Sequence, residues 1–334
     1  MYNEFAPTAD TLFLLVLSIL TLESVHSIRF LYQHFLSGIT TKSLNTFYHA
    51  CSYAKVDSSH FMNITAKVAL RMIPDSLATQ PIFLCVDDTM VAKAGTRFEN
   101  VSKLFDHAAH NGSNYLNGHC FVSIMLCIPV WKNDRVSYLS LPLGYRMWQK
   151  KESKLELAAS MIRQVMPEFQ EKKQVIILCD SWYTKRNLVS IVDEYLNLDL
   201  IGNARIDSVM YAPAHTGRRG RPAKHGKRLS VETDFAFSNE KIGDYYIGAH
   251  RVITNLFGCR EIQAYVTATE KEPLNQTGSD RMKYIPLFLY SFRWNIIPIS
   301  ALGILKQATM NRKRSGLFVT IWCEAAKGLK CLSI

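Results

Sequence analysis

Two apolar runs, far apart in the chain, end in carboxylates. Residues Pro81 to Val86 (PIFLCV) lead into Asp87, Asp88 and Thr89, and Val175 to Cys179 (VIILC) lead into Asp180, Ser181, Trp182 and Tyr183. Short, continuous apolar runs rich in β-branched residues read as strands buried on both faces. A strand that ends in an acid lifts the carboxylate to the rim of its sheet. Two such strands side by side bring two carboxylates around one or two Mg2+ (or Mn2+) ions, an arrangement suited to phosphodiester chemistry. In that arrangement Asp88 bridges and Asp180 binds one ion. Asp87 is a helper or points to the opposite face, since successive strand residues alternate, and Thr89 hydrogen-bonds the first carboxylate. The residues alone leave a second reading open, because acids are also common turn formers at strand ends.

The pattern around these runs is mixed α/β. Strands are predicted near 81–87, 119–130, 136–142, 174–180 and 198–203, with helices over about 152–166 and 184–195 on either side of the fourth strand. This order resembles the ribonuclease H-like fold, in which the first and fourth strands are adjacent and carry metal-binding acids. Residues 1–76 read as a helical domain. Leu15, Leu17, Ile19, Leu20 and Leu22 lead into Ile28, Phe30, Leu31 and Phe35, followed by helices near 41–53 and 58–72, the last capped by Ser58 or Ser59 and stopped before Pro74. Such a segment is either a DNA-binding bundle or a support for the sheet. The run from Thr11 to Leu20 falls short of the roughly 20 residues that cross a bilayer. No basic residue precedes it and no small-residue cleavage site follows, so a buried helix is expected rather than a membrane anchor or signal peptide.

Charge points to the partner. The net charge of +11 favours a polyanion, most simply double-stranded DNA. Between 217 and 228 stand Arg218, Arg219, Arg221, Lys224, Lys227 and Arg228 with no acid among them. Glycine, proline and charge make this an exposed loop that contacts phosphates. Its Arg219-Gly220-Arg221-Pro222 core resembles an AT-hook, whose arginines enter a narrow minor groove. Strand-like stretches near 230–237, 244–254 and 260–269 make 205–283 a β-rich insertion. The eight cysteines include no C-x-x-C pair, which argues against a zinc site and suits a reducing cytoplasm. His107, His110 and His119 read as ordinary hydrogen-bonding residues, since no thiol or acid completes a metal set. Trp148, Lys150 and Lys151 precede the long helix and are placed to touch DNA, and Trp182 and Tyr183 either pack under the sheet or stack on a base.

Several ordered blocks resemble the DDE-class transposases of bacterial insertion sequences: VDDT at 86–89, NGSNYLNGHCFVSIML at 111–126, LCDSWY at 178–183, GRRGRP at 217–222 and YSFRWN at 290–295. The resemblance runs from about Leu14 to Ile296. It implies Mg2+-dependent cleavage of the element's ends and strand transfer into target DNA, with terminal inverted repeats, target DNA and a second copy of the chain as partners. It also implies a cytoplasmic, nucleoid-associated protein. A cellular ribonuclease H-like repair nuclease fits the acids but not these blocks.

The chain departs from the family where the third acid belongs. The family's late helix, here expected to begin within 284–296, carries a Tyr, an Arg three residues on, a Glu four later and a Lys seven beyond. Tyr290 and Arg293 match, but Ile297 and Ile304 stand at the Glu and Lys positions, and Pro298 is a helix breaker. One permitted back-translation of Leu305 to Lys313, read in another frame, encodes ETSYYEQK. Joined to RWNI at 293–296, that octapeptide restores both missing residues at the family spacing. The expectation is a short insertion after Ile296 that makes 297–334 an out-of-frame tail and leaves the chain catalytically defective, a DNA-binding remnant being the alternative. Glu270 and Glu324 are poor substitutes for the third acid. The direct passage from the strand ending at Glu270 to Lys271-Glu272-Pro273 further suggests an internal deletion.

Overall fold

The computed structural model describes residues 6–54, 57–95, 98–105, 115–169, 173–204, 208–214, 223–237, 246–255, 261–268 and 284–290. Contacts divide the chain into two compact units, with the boundary between Ser58 and Ser59.

The first unit holds α1 (Ala6–Thr21), α2 (Ile28–Leu31), a π-helical turn (Tyr32–Leu36), α3 (Ser37–Ile39) and α4 (Leu44–Tyr53). Ser27 caps α2 by accepting a hydrogen bond from the Phe30 N–H at 3.1 Å. Leu15, Val25, Leu31, Leu36 and Phe47 close a small core, but Phe13, Val16 and Leu20 stay exposed, so α1, expected as a buried helix, covers only one of its faces. Among the described residues no helix is long and apolar enough to cross a membrane.

The second unit begins with α5 (Ser58–Arg71), whose Met62, Ala66 and Ala69 join the main core. Its strands are β1 (Ile82–Ala92), β2 (Ser102–Phe105), β3 (Tyr115–Lys132), β4 (Arg135–Met147), β5 (Val175–Cys179), β6 (Leu198–Ala204), β7 (Met210–Tyr211), β8 (Arg228–Leu229), β9 (Ala236–Phe237), β10 (Tyr246–Ile253), β11 (Glu261–Ala268) and β12 (Tyr284–Tyr290). Helix α6 (Lys154–Val165) lies between β4 and β5, the short α7 (Arg186–Val189) follows β5, and α8 (Val231–Asp234) follows β8. The five main strands run β4-β3-β1-β5-β6: β3 is antiparallel to β4 and β1, and β5 is parallel to both β1 and β6. Counting only these five, the order 3-2-1-4-5 is that of a ribonuclease H-like sheet, as the sequence pattern implied. Asn133 and Asp134 join β3 to β4 with φ of 51° and 55°, the paired left-handed geometry of a two-residue hairpin turn.

Both faces of this sheet are buried: Phe83, Cys85, Met125, Cys127, Ile176 and Leu178 fill one face, and the larger core lies on the other. Ile82, Leu84 and Val86 of β1 and Val175, Ile177 and Cys179 of β5 pack with Leu155, Ala158, Met161, Ile162 and Val165 of α6. The start of α6 is fixed by a capping box: Ser153 Oγ accepts from the Glu156 N–H, and Glu156 accepts from the Ser153 N–H. Arg146 on β4 donates to Ser160 of α6 and Ser59 of α5, binding both helices to the sheet.

Three elements differ from the sequence expectation. The helix expected over 184–195 is one turn, α7, followed by a 3-10 turn at Ser190–Asp193. The insertion is continuous with the main sheet, because β12 pairs antiparallel with β6 and carries β11 and β10 beside it. Tyr284–Tyr290, assigned by sequence to the start of the last helix region, is strand β12. Its aromatic and β-branched residues favour a strand, and Pro286 sits where the β11–β12 register shifts, a position that asks no ladder donor of it. Residues 291–334 lie outside the described residues.

Candidate active site

The two acid-bearing strands are neighbours. The last β1–β5 register pair is Val86 with Cys179, so Asp87 and Asp180 come next on strands about 4.8 Å apart, with Asp88 one residue further. Asp88 remains within β1, opposite Val122 of β3, and shares the face of Leu84 and Val86.

Asp180 is where β5 ends. Its Oδ1 accepts the Trp182 and Tyr183 N–H groups at 3.0 and 3.1 Å, and its carbonyl accepts the Thr184 N–H at 3.0 Å and the Thr184 hydroxyl at 2.8 Å. An acid followed by this turn fixes the carboxylate at the sheet's rim. Thr184 lies against β6 at Gly202, where an added Cβ would come within 2.3 Å of Thr184 Oγ1. The missing side chain of Gly202 is what lets the turn close. Burial raises the Asp180 pKa and the Asp88 charge raises it further, against the lowering effect of the Tyr183 and Trp182 N–H groups.

Asp88 has a cationic partner that the sequence reading missed. The Lys154 ammonium, from the first residue of α6, forms an ion pair with Asp88 Oδ2, and the Cys120 thiol donates to the same oxygen at 3.2 Å. The hydrogen bond expected from Thr89 is thus replaced by Lys154 and Cys120; strand alternation puts Thr89 on the other face. The Lys154 ammonium lies 5.5 Å from the Trp148 ring centre and 5.2 Å from that of Trp182, with Lys185 4.9 Å from Trp182 on its own account. Burial works to lower the Lys154 pKa, but the hydrogen bond and charge of Asp88 leave it raised.

Asp87 is half-buried. Its Oδ1 accepts the Asp88 N–H at 2.8 Å, and burial, with the charges of Asp180 and Asp88, pushes its pKa up to about 7. Beneath the carboxylates stands Tyr183, 1% exposed, whose hydroxyl has no hydrogen-bond partner among the described residues. Burial first, then the charges of Asp88 and Asp87, hold its pKa far above the ordinary phenol value.

Other candidates fall elsewhere. His119 bonds the Glu99 carbonyl at 2.8 Å, and His107 and His110 lie outside the described residues. Among the described residues no group of three or more His, Cys, Asp or Glu side chains is placed to hold a metal ion. In the basic loop Arg218, Arg219 and Arg221 are outside the described residues. Lys224, Lys227 and Arg228 are exposed, with Lys227 paired to Asp234. Tyr290 ends β12 opposite Ile201 of β6, while Arg293, Glu270 and Glu324 are outside the described residues.

A family model described as DDE superfamily endonuclease matches residues 9–241. This spans more than two thirds of the chain and takes in Asp88, Lys154 and Asp180. The chain belongs to the DDE superfamily endonucleases. The match ends before Tyr290 and Arg293. Among solved structures, the Drosophila P element transposase strand transfer complex aligns at 10% identity with a TM-score of 0.27, covering 70% of this chain and 48% of that chain. The chain thus spans about half of that protein's length, and the likeness is too distant to carry an argument. No curated protein matches the chain.

Proposed function

We propose that this endonuclease is an insertion-sequence transposase lineage member that binds DNA at its element's ends, and that this chain is defective in cutting and joining them. The observation that supports the reading is that β1, which carries Asp88, and β5, which ends at Asp180, are parallel neighbours in a 3-2-1-4-5 sheet.

Whether these residues suit Mg2+ or Mn2+ follows from the donors. Asp88 and Asp180 offer hard carboxylate oxygens on rigid elements, and the orphaned Tyr183 hydroxyl beneath them has a donor to give to a bound water or carboxylate oxygen. Asp88 and Asp180 would hold one divalent cation, with water completing its shell. Bound there, such ions supply Lewis-acid activation of a water or 3′-hydroxyl and stabilise the leaving oxygen. The chain's own residues do the rest: Lys154 and Lys185 present ammonium groups to phosphate, and Trp182, 40% exposed, offers a ring face beside them. Lys224, Lys227 and Arg228, with Arg218, Arg219 and Arg221 of the same loop, add sequence-independent phosphate contact. Tyr290 and Arg293 remain as the remnant of the family's third block, with Ile297 in place of its acid. Self-association on DNA and residence on the nucleoid belong to the same proposal.

The test uses labelled duplexes from the gene's own flanks, with Mg2+ or Mn2+. Retarded migration of end-containing duplexes with cleavage at least about 100-fold below that of an intact relative supports the reading. Robust cutting at the ends refutes the defect, and cutting without regard to ends favours a general nuclease. Ile297 specifically favours the alternative of a non-catalytic remnant that competes for ends. The gene's DNA sequence decides the frame, since codons unable to yield ETSYYEQK after Ile296 exclude the proposed insertion.

A further inference from the structure

If Asp88 and Asp180 are cation ligands, one cation is already in place. The Lys154–Asp88 pair is mostly shielded from solvent, with side chains 17% and 23% exposed. Lys154 is also not a wandering surface lysine. It is the first residue of α6, and the Ser153–Glu156 capping box pins the helix start from which its stem extends. Trp148 and Trp182 lie beside the ammonium, and Trp148 is itself fixed by donating Nε1–H to the Glu152 carbonyl at 2.7 Å. The same Asp88 oxygen also receives the Cys120 thiol.

A carboxylate oxygen whose lone pairs face an ammonium and a thiol is not free for a hard cation, which demands direct contact at about 2.1 Å. A second positive charge brought to that oxygen is also repelled by the first. We propose that Lys154 is a tethered counter-ion that competes with a divalent cation for Asp88 Oδ2, so that cation entry requires Lys154 to leave. This rests on the reading of Asp88 and Asp180 as cation ligands. Leaving is made easy by what surrounds the ammonium. The two indole faces remain favourable to it after it quits Asp88, and exposed Trp182 keeps it at the mouth where DNA phosphate arrives. Phosphate that takes up the Lys154 charge uncovers Asp88, and a cation on Asp88 frees Lys154 for phosphate. Cation and DNA therefore favour each other's binding by the same factor.

The experiment is a terbium(III) titration of the full chain without DNA, read by luminescence sensitised through the tryptophans. Mn2+ competition repeats the measurement with a divalent probe. The proposal expects Lys154→Met to tighten terbium binding by about tenfold or more, Lys154→Arg to stay near the parent protein, and Asp88→Asn to abolish binding. Should Lys154→Met fail to fold by circular dichroism, Lys154→Gln carries the same expectation. Unchanged or weaker binding in the Lys154 variants, with Asp88→Asn still inactive in binding, overturns the counter-ion role and leaves the cation site standing. Absence of terbium and Mn2+ binding from every protein, the Lys154 variants included, overturns both.

Discussion

At the scale of single residues, the site is a cluster of charges held out of water, and its consequences are measurable without substrate. Asp87 titrates near 7 in the folded chain, well above the usual carboxylate value. Between about pH 4 and 7 the folded state therefore holds a proton that the unfolded state has released, and stability falls as pH rises through that window. Thermal melts in EDTA are expected to show this decline, and Asp87→Asn to remove it and raise the melting temperature at pH 8. A variant with the parent's slope would show that Asp87 is not the titrating group. The strand-end acids were legible in sequence because an apolar run stopping at a carboxylate has a local signature. Lys154 was not: it stands among Lys150 and Lys151, and nothing in the local pattern says which lysine reaches back to β1. Only the packing of α6 on the sheet selects it.

At the scale of elements, the geometry of Asp180 depends on a contact with the next strand. Gly202→Ala forces a methyl into Thr184 and is expected to destabilise the fold by about 1–3 kcal/mol. Thr184→Ala in the same chain should relieve part of that loss, a coupling read by a double-mutant cycle in urea. Additive effects would mean that the turn is not clamped there. Ser153→Ala removes one half of the α6 capping box and should cost about 1 kcal/mol, measured by the same denaturation. The five main strands were readable from their apolar runs. The helix expected over 184–195 dissolved into single turns, and Tyr284–Tyr290 became a strand. Short aromatic and β-branched runs have no period long enough to separate strand from helix, and pairing with β6 decides the matter.

At the scale of the whole molecule, the chain belongs to the DDE superfamily endonucleases and carries a net charge of +11. Replacing Lys224, Lys227 and Arg228 with Gln should weaken binding to all duplexes alike and flatten the salt dependence of affinity, measured by fluorescence anisotropy from 50 to about 200 mM salt. Loss of binding to one sequence alone would instead assign base readout to this segment. Ordered blocks made the family legible. Composition did not reveal that α5 belongs to the sheet's core, because an amphipathic helix carries no mark of which neighbour it covers. Nor did it show that the insertion continues the sheet, since edge pairing is a property of backbone register.

The claim on which the account turns is that Asp88 and Asp180 act as one cation site. Isothermal titration with Mn2+ of the parent protein, Asp88→Asn, Asp180→Asn and the double variant tests it most directly. The account predicts that either single change removes binding as fully as both together. Retained Mn2+ binding in both single variants, or losses that simply add, would contradict it.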